Sequence, residues 1–337
     1  MKSLLVAILV AIFALNHRFI FRRKFPVPPF DHGVILISGT SSGIGRATCS
    51  WLAERYNQTT IYCGVRKEKD ATGHPFDLPN VQSVQLDITQ QHQVDDVMKQ
   101  IQATGKPLIG LINNAGIADA QAFEFIGVQR LRQVLEVNVV GTYRLTQAAL
   151  PMIRQAQGRI VLVGSISALT PAIPLWSAYI ASKCALEAFG DALRMEMGPL
   201  GVSVSLIEPG FIETGMVNAE ADSISAAMSL SQIEEEPDEV RIYPHLMDGT
   251  YLGNMKEVSL HTGNVEETCA TMEDAIFGQY PETRYVTSRI GPFPGWFHVR
   301  LLKALPDRVV DWCVAHLEFY AWLANARAKL ERWLAAS

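Results

Sequence analysis

Short apolar runs alternate with amphipathic stretches along most of the chain. Runs rich in Val, Ile and Leu predict buried strands at 34–37, 60–65, 81–86, 108–112, 160–163 and 202–207. Apolar positions at helical spacing predict helices at 42–54, 94–101, 131–153 and 179–197. Because the strands are short and the alternation is regular, the pattern predicts an α/β fold of Rossmann type. Such a fold has a doubly wound, mostly parallel sheet with helices on both faces.

The alternation stops in the second half of the chain. Residues 215–284 are polar and carry the acidic run Glu234–Glu236, which predicts a helical flap rather than a long structureless loop. Residues 284–287 predict a seventh strand, so that the main domain covers 31–290. Aromatic and apolar positions between 319 and 334, flanked by Arg and Lys, predict a C-terminal helical extension over 291–337. That helix would cap the domain, form a dimer face or contact a membrane surface.

The N-terminus resembles a membrane signal. Residues 4–15 form an unbroken apolar run, which is shorter than the roughly 20 residues that span a bilayer. The run reaches about 18 residues if the basic side chains after it extend to headgroups. We prefer a signal anchor over residues 1–25 to a cleaved signal peptide, which lacks a cleavage site here, and to a packed helix. The positive charges that follow the run predict a cytosolic main domain.

Composition and charge exclude several classes of function. The chain has 337 residues, of which 48% are hydrophobic and 19% charged, enough for a large core. With a net charge of −5 and no basic tract in the body of the chain, a nucleic-acid partner is not expected. The five cysteines are widely spaced and form no metal-ligand pattern with histidines. Neither a metal site nor a disulfide scaffold is therefore expected, and the pattern suits a reducing compartment.

A glycine-rich turn joins the first strand to the first helix. Glycines there permit a tight turn and close approach of the backbone to a pyrophosphate, and the helix N-terminus offers N–H groups to the anion. The serines add hydroxyl donors, and a plain tight turn is the alternative. The predicted phosphate contacts are Gly39, Ser41, Ser42, Gly43, Ile44 and Gly45.

The end of the second strand predicts the type of dinucleotide. An acidic residue at this place would accept a hydrogen bond from a ribose 2′-hydroxyl, but the strand ends without one. Arg66 and Lys67 follow instead and can neutralise a 2′-phosphate by charge-assisted hydrogen bonds. The sequence therefore predicts NADP(H) in preference to NAD(H), unless the basic turn is simply solvated.

Tyr179 and Lys183 are four residues apart on one predicted helix and so share a face. A free phenol has a pKa near 10, and a cation about 4 Å away lowers that value by about 3 units at best. Such a phenol can exchange a proton with a carbonyl or alcohol oxygen near neutral pH. The pair alone is commonplace on helix surfaces, so its surroundings decide.

Polar residues follow neighbouring strands in support of that chemistry. Ser165, beyond the fifth strand, can hydrogen-bond a substrate oxygen, and Ser167 is the alternative. Asn114 lies at the tip of the fourth strand. Asn138 lies within an apolar helix, where its amide must be satisfied. It is either a structural hydrogen-bonding residue or part of the site.

Taken together, these motifs resemble the short-chain dehydrogenase/reductase family. The resemblance rests on Gly39, Gly43 and Gly45, Asp87 after the third strand, the run 113–116, Asn138, Ser165, Tyr179, Lys183, and Pro209-Gly210 with Thr214. It implies that Tyr179 is the general acid/base and that Lys183 lowers its pKa and holds the nicotinamide ribose. Ser165 would orient the substrate, and Asn138 would position a water in a proton relay.

The resemblance also implies further cofactor contacts. These are Asp87 near the adenine, then Asn114, Ala115 and Gly116, and finally Pro209, Gly210, Ile212 and Thr214 beside the nicotinamide. Two departures are visible. Ser38 stands where the family usually has Thr, and Ser165 precedes Tyr179 by fourteen residues, one more than is common.

Residues 137–141 and 207–211 and the predicted anchor resemble the 17β-hydroxysteroid and retinol dehydrogenase branch. That branch implies an apolar substrate, such as a steroid, retinoid or other lipid, at the endoplasmic reticulum membrane. Dimers or tetramers are common in the family, so a homodimer is possible. The alternatives are a reductase of soluble carbonyls or 3-hydroxy acids, and a nucleotide-binding scaffold without catalysis.

Overall fold

The computed structural model describes most of the main domain. It covers residues 23–28, 32–72, 76, 78–170, 173–210, 212, 238–247, 265–287, 289–290 and 293–315. Four sequence predictions lie outside these residues. They concern the anchor as far as residue 22, Thr214, most of the flap with its acidic run, and the helix at 319–334.

Seven parallel strands form one sheet in the order β3-β2-β1-β4-β5-β6-β7. They are β1 (Val34–Ser38), β2 (Thr60–Val65), β3 (Val81–Gln85), β4 (Leu108–Asn113), β5 (Arg159–Val163), β6 (Ser203–Pro209) and β7 (Arg284–Thr287). Each strand begins and ends within two residues of its predicted place. Since β1 pairs with both β2 and β4, the strand order reverses at β1, which is where ligands bind in sheets of this kind. A small antiparallel pair, β8 (Arg289–Ile290) and β9 (Phe293–Pro294), follows.

Helices cover both faces of the sheet. They are α1 (Gly43–Arg55), α2 (Glu68–Thr72), α3 (Gln91–Ala103), α4 (Val128–Leu135), α5 (Thr142–Ala156), α6 (Ser177–Met197), α7 (Asp238–Ile242), α8 (Pro244–Met247), α9 (Val265–Phe277), α10 (Gly295–Ala304) and α11 (Asp307–Ala315). Apolar side chains of α3, α5 and α6 form one buried core with the sheet, and those of α1 and α9 form a second core on its other face. The predicted doubly wound Rossmann-type architecture is confirmed.

The helix predicted over 131–153 is not continuous. A π-helical segment, Glu136–Gly141, separates α4 from α5 and contains Asn138. A π turn closes hydrogen bonds one residue farther along the chain than an α turn, and it often marks a functional site. Over six residues, a π turn changes the spacing of apolar positions too little to be recognised in the sequence. The prediction of one continuous helix was therefore wrong.

Helix α9 corrects the predicted extent of the flap. The prediction included this segment in 215–284, but its Cys269, Met272 and Ile276 are fully buried against α1 and the sheet. Their spacing of three and four residues gives the helix one apolar face. The polar residues that dominate the segment lie on its other face and obscured that pattern.

Cys49 of α1 and Cys63 of β2 form a buried disulfide with a Cα–Cα distance of 6.5 Å. The sequence analysis did not expect a disulfide. A separation of fourteen residues does not reveal that this helix packs directly on this strand. It is a single bridge between two adjacent elements, not the scaffold of a small disulfide-rich protein.

Residues 23–28 lie against the amino-terminal edge of the sheet. Phe25 is 9% exposed, and its backbone N–H donates to the Gln279 carbonyl at 3.1 Å. The Arg159 guanidinium donates to the Pro26 carbonyl and lies 5.4 Å from the Phe25 ring centroid. No helix in the described part of the chain is long and apolar enough to cross a bilayer.

Candidate active site

A cleft of about 600 Å³ opens at the carboxyl ends of the parallel strands. The loops that follow β1, β4, β5 and β6 all contribute to it, as expected where the strand order reverses. The predicted site residues that line it are Gly39, Ser41, Ser42, Gly43, Ile44, Arg66, Asp87, Asn114, Ala115, Gly116, Ser165, Tyr179, Lys183, Pro209, Gly210 and Ile212. Gly45 and Asn138 are not among the lining residues.

The glycine turn packs directly on the loop that follows β4. Gly39 has a φ of +71°, and a Cβ added to it would lie 2.6 Å from the Ala115 Cα. A Cβ on Gly45 would lie 2.3 Å from both the Asn114 Nδ2 and the Gly39 carbonyl oxygen. Only glycine fits these two positions, because the first requires a left-handed backbone and the second leaves no space for a side chain.

Hydrogen bonds lock the ends of β1 and β4 together. The Ser38 Oγ accepts the backbone N–H groups of Asn114 and Ala115, each at 3.1 Å. In return, the Asn114 Nδ2 donates to the carbonyls of Ser38 at 3.1 Å and Gly39 at 2.9 Å. A buried hydroxyl is what this position needs, so Ser38 replaces the family's usual Thr without loss of these bonds.

The adenine end of the cleft carries charges of both signs. Arg66 and Lys67 line it after β2, together with Asp70 of α2, which the sequence analysis did not consider. The Asp87 Oδ1 accepts hydrogen bonds from the Thr89 N–H at 2.9 Å and hydroxyl at 2.7 Å. These two bonds fix the Asp87 carboxylate beside the cleft.

Helix α6 brings Tyr179 and Lys183 to the wall of the cleft. The Lys183 side chain is buried, and its Nζ donates to the Val163 carbonyl at 2.8 Å. The Lys183 Nζ lies 5.6 Å from the Tyr179 ring centroid. The Trp176 ring packs edge-on against Tyr179, with the ring centroids 5.9 Å apart. The two predicted residues therefore share a face that points into the cleft.

Burial sets the charge state of this lysine. Removal from water lowers the pKa of Lys183 to about 8. At pH 7 the amine is still mostly protonated. A buried ammonium beside a phenol is an arrangement that stabilises a phenolate.

Ser165 is held from two sides. Its N–H donates to the Glu208 Oε2 at 2.7 Å, and its Oγ accepts the Ser167 N–H at 3.2 Å. Ser165 lines the cleft, and a hydroxyl that accepts one hydrogen bond can still donate its own proton to a substrate oxygen there. Ser167, the alternative, also lines the cleft, and its backbone supports Ser165.

The Asn138 side chain is fully buried and bonded to its surroundings. Its Oδ1 accepts the Ile117 N–H at 2.8 Å, and its Nδ2 donates to the Ile117 carbonyl at 2.8 Å and to the Ser182 Oγ at 2.9 Å. Both amide N–H groups are used, so the side chain has no donor left for a water. This is the structural alternative for Asn138: it ties the loop after β4 to α6 next to Lys183.

Comparison with known proteins shows the family of this chain. The model of the short chain dehydrogenase family matches residues 33–224. The chain belongs to the short-chain dehydrogenase family. Members of this family are dehydrogenases and reductases that act on CH–OH and C=O groups with a nicotinamide dinucleotide, so the chain is an oxidoreductase.

Several curated proteins are similar to this short-chain dehydrogenase over most of their length. Mouse (Mus musculus) retinol dehydrogenase 5 is 32% identical over 84% of this chain and 88% of its own. The bovine (Bos taurus) mitochondrial D-beta-hydroxybutyrate dehydrogenase is 34% identical over 86% of each chain. Bovine 17-beta-hydroxysteroid dehydrogenase type 6 is 29% identical over 91% of this chain and 94% of its own. The retinol dehydrogenase and the 17-beta-hydroxysteroid dehydrogenase agree with the branch that the sequence resembles.

A solved structure shares the fold. The crystal structure of a short-chain dehydrogenase from Streptomyces avermitilis superimposes with a TM-score of 0.62 at 24% identity, covering 84% of this chain and 94% of that one.

The cleft of this short-chain dehydrogenase fits a nicotinamide dinucleotide. At the glycine turn the backbone comes close because Gly39 and Gly45 have no side chains. At the other end, a Cβ on Gly116 would lie 3.3 Å from the Asn138 Oδ1 and 3.7 Å from the Lys183 Nζ. A small residue there leaves room for a ribose beside the ammonium.

Sequence reasoning missed part of the lining. Ile117, Ile166, Ile173 and Trp176 line the cleft among the residues that the structure describes. Trp176 could have been predicted, because it precedes Tyr179 by three residues and would lie next to it on a helix. The isoleucines gave no such signal, because apolar residues at strand ends are read as core.

We expect Gly45→Ala to weaken dinucleotide binding by roughly 10-fold or more, since overpacking of this kind costs about 1–3 kcal/mol. The added methyl group would displace the Asn114 amide or the Gly39 carbonyl. Fluorescence titration with NADPH measures the dissociation constant. Gly127→Ala is the control, because a Cβ there meets nothing within 4 Å. Equal affinities for the two variants would contradict the assignment of this turn.

Proposed function

We propose that this short-chain dehydrogenase transfers a hydride between NADP(H) and the carbonyl or alcohol carbon of an apolar substrate. Steroids, retinoids and other lipids are the substrate class, and Tyr179 is the general acid/base. The observation that carries this proposal is the buried Lys183 ammonium, whose Nζ lies 5.6 Å from the Tyr179 ring centroid in a cleft with apolar walls.

The reaction needs one proton and one hydride. A nicotinamide dinucleotide held in the cleft would supply the hydride to the carbonyl carbon in the reductive direction. Tyr179 donates its phenolic proton to the carbonyl oxygen, and the Lys183 ammonium stabilises the phenolate that remains. The Ser165 hydroxyl donates a hydrogen bond to the same oxygen and holds the substrate in place. Oxidation of the alcohol runs through the same groups in reverse.

The residues along the cleft would hold the dinucleotide in sequence. The glycine turn and the N-terminus of α1 would bind the pyrophosphate, and Asp87 would lie near the adenine. Lys183 would bind the nicotinamide ribose. Pro209, Gly210 and Ile212, with Thr214 outside the described residues, would face the nicotinamide. Asn138 would serve the site through the loop that it fixes rather than as a side-chain donor to a relay water, since both of its amide N–H groups are used.

Two cations support NADP(H) as the preferred form. Arg66 and Lys67 line the cleft at the end of β2, where a 2′-phosphate would lie. Asp70 lines the same region and is a ready acceptor for a 2′-hydroxyl, so NAD(H) is the alternative.

The lining beside Tyr179 supports an apolar substrate. Ile117, Ile166, Ile173 and Trp176 offer hydrocarbon surface. Among the described lining residues, the basic side chains are Arg66 and Lys67 at the adenine end and Lys183. A substrate carboxylate would therefore find no dedicated cation in this part of the cleft. The similarity to a retinol dehydrogenase and a 17-beta-hydroxysteroid dehydrogenase supports the same class.

A 3-hydroxy acid is the second candidate substrate. The similarity to a D-beta-hydroxybutyrate dehydrogenase over 86% of each chain favours it. A scaffold without catalysis is disfavoured, because Ser165, Tyr179 and Lys183 all line one cleft.

We further propose that the segment before residue 23 anchors the enzyme in the endoplasmic reticulum membrane with the main domain in the cytosol. The predicted anchor extended to residue 25, but Arg23 and Phe25 form hydrogen bonds with the main domain. The apolar run and the basic residues after it support this orientation. Protease treatment of sealed microsomes tests it, since a luminal domain would be protected. A homodimer is the assembly that we expect from the family.

Tyr179→Phe should lower kcat by roughly 10²- to 10⁴-fold, the usual contribution of a general acid or base. The dissociation constant for NADPH should stay nearly unchanged, because the phenyl ring keeps its contact with Trp176. Steady-state kinetics and fluorescence titration measure the two effects. Tyr280→Phe, at an exposed tyrosine, is the matched control. Near-normal turnover by Tyr179→Phe would refute the mechanism.

Arg66→Asp should shift the ratio of kcat/KM for NADPH over NADH toward NADH by roughly 10- to 100-fold, as loss of a charge-assisted hydrogen bond costs about 1.5–3 kcal/mol. The new carboxylate also repels a 2′-phosphate and accepts from a 2′-hydroxyl. Arg154→Asp makes the same charge change on exposed surface at the far end of α5 and should leave the ratio unchanged. An unaltered ratio in Arg66→Asp would remove the basis for NADP(H).

A substrate panel should give higher kcat/KM for steroid and retinoid alcohols or ketones than for 3-hydroxybutyrate. Trp176→Ala should raise KM for the apolar substrates by roughly 10-fold or more, since it removes a large apolar contact surface. Met195→Ala, at an exposed residue on the same helix, is the control. A preference for 3-hydroxybutyrate would make the hydroxy-acid reaction the function.

A further inference from the structure

A fully buried carboxyl group lies directly behind the wall of the cleft. Glu208 is the next-to-last residue of β6 and has no exposed surface. Its Oε2 accepts the Ser165 N–H at 2.7 Å. A carboxyl group in such a place is costly unless it is neutral or fully paired, so its protonation state decides what it does.

The second oxygen of Glu208 faces another carboxyl group. Glu208 Oε1 and Glu187 Oε1 are both buried and meet no donor among the residues that the structure describes. Helix α6 packs on β6, and the two carboxyl groups are close enough to interact. Two acceptor oxygens can form a hydrogen bond only if one of them carries a proton. One proton shared between them would satisfy both of these buried oxygens.

The surroundings decide which partner carries it. The Glu187 Oε2 accepts the Arg284 Nε–H at 2.8 Å, and the Arg284 Nη2 donates to the Asp191 Oδ2 at 2.8 Å. This guanidinium favours negative charge on the Glu187 side of the pair. Burial and the charge of Glu187 both raise the pKa of Glu208 well above its usual range. The proton is thus on Glu208.

The acid pair adjoins the proposed catalytic residues. Tyr179, Lys183 and Glu187 follow one another at intervals of four residues along α6, so they form one stripe. The charged and titratable groups that face Glu208 are Lys183 and Glu187 from α6, with Arg284 and Asp191 behind Glu187. An ionised Glu208 would add a second negative charge here and compete with the Tyr179 phenolate for the ammonium.

We propose that Glu208 is a positioning residue that works as a neutral acid, accepting the Ser165 N–H while donating its own proton to Glu187. In this form it fixes the Ser165 backbone and braces α6 behind Lys183, and it leaves the ammonium available to Tyr179. The inference rests on the proposed function in so far as Ser165 and Lys183 serve Tyr179.

Glu208→Gln and Glu208→Leu separate the neutral acid from a carboxylate. Glutamine keeps both bonds, with its oxygen accepting from Ser165 and its amide donating to Glu187. We expect its kcat to stay within about threefold of wild type and its pH profile to be unchanged. Leucine keeps the approximate volume and loses both bonds. Its kcat should fall roughly 10- to 100-fold, while NADPH affinity changes little. If glutamine lowers kcat as leucine does, or shifts the pH profile, Glu208 acts as a carboxylate and the proposal is wrong.

Infrared difference spectroscopy provides a readout that needs no turnover. The wild-type protein at pH 7 should show the carbonyl band of a protonated carboxylic acid, and Glu208→Gln should lack it. Glu273→Gln is the control, because the two Glu273 oxygens accept hydrogen bonds from the Trp51 Nε1 at 2.6 Å and the Tyr56 hydroxyl at 2.7 Å and need no proton of their own. Two separate results distinguish failure of the proposed function from failure of this inference. Activity retained in Tyr179→Phe overturns the proposed function alone, whereas a band unaffected by Glu208→Gln overturns this inference alone.

Discussion

The hydrogen bond from the Lys183 ammonium to the Val163 carbonyl holds a charge that is almost entirely removed from water. Removing an ion from water costs several kcal/mol, and hydrogen bonds to fixed dipoles such as the Val163 carbonyl must offset part of that cost. Val163 ends β5 and Lys183 lies in the second turn of α6, so the same bond joins the helix to the sheet. Tyr179 lies one turn earlier on α6 and is thereby set at the wall of the cleft.

Buried polar side chains also hold the ends of the other strands in place. Ser38 and Asn114 exchange four hydrogen bonds with the backbone of each other's loops, and Asn138 ties a third segment to α6. Each of these polar side chains is at least partly buried, and each binds backbone groups that would otherwise lack partners. The side chains that we propose as catalytic and the phosphate-binding turn are therefore held by interactions between elements. A site held in this way keeps its geometry more accurately than a site on a free loop.

The strands and the motifs could be predicted from sequence, because their signals are local. Parallel strands buried on both faces are continuous apolar runs, and the glycine turn and the Tyr179–Lys183 pair are fixed spacings. What escaped prediction depends on contacts between distant segments. Nothing near Cys49 indicates Cys63, and the apolar face of α9 is recognisable only against the sheet that it covers. Glu208 appeared merely as part of a strand, since its role arises from Ser165 and Glu187, which come from two other elements.

The chain enters the domain at one end of the parallel strands and the cleft opens at the other, which affects whether a membrane anchor argues for a lipid substrate. Arg159, at the start of β5, binds the segment around Phe25, so the described chain enters the domain at the amino-terminal edge. The cleft opens at the opposite edge, about 17 Å away along a five-residue strand. An anchor that precedes residue 23 would therefore tether the domain at the edge away from the cleft. Membrane attachment alone does not argue for a lipid substrate here. That argument depends on the apolar wall beside Tyr179, where Ile166 and Trp176 would exclude water from the reacting carbonyl.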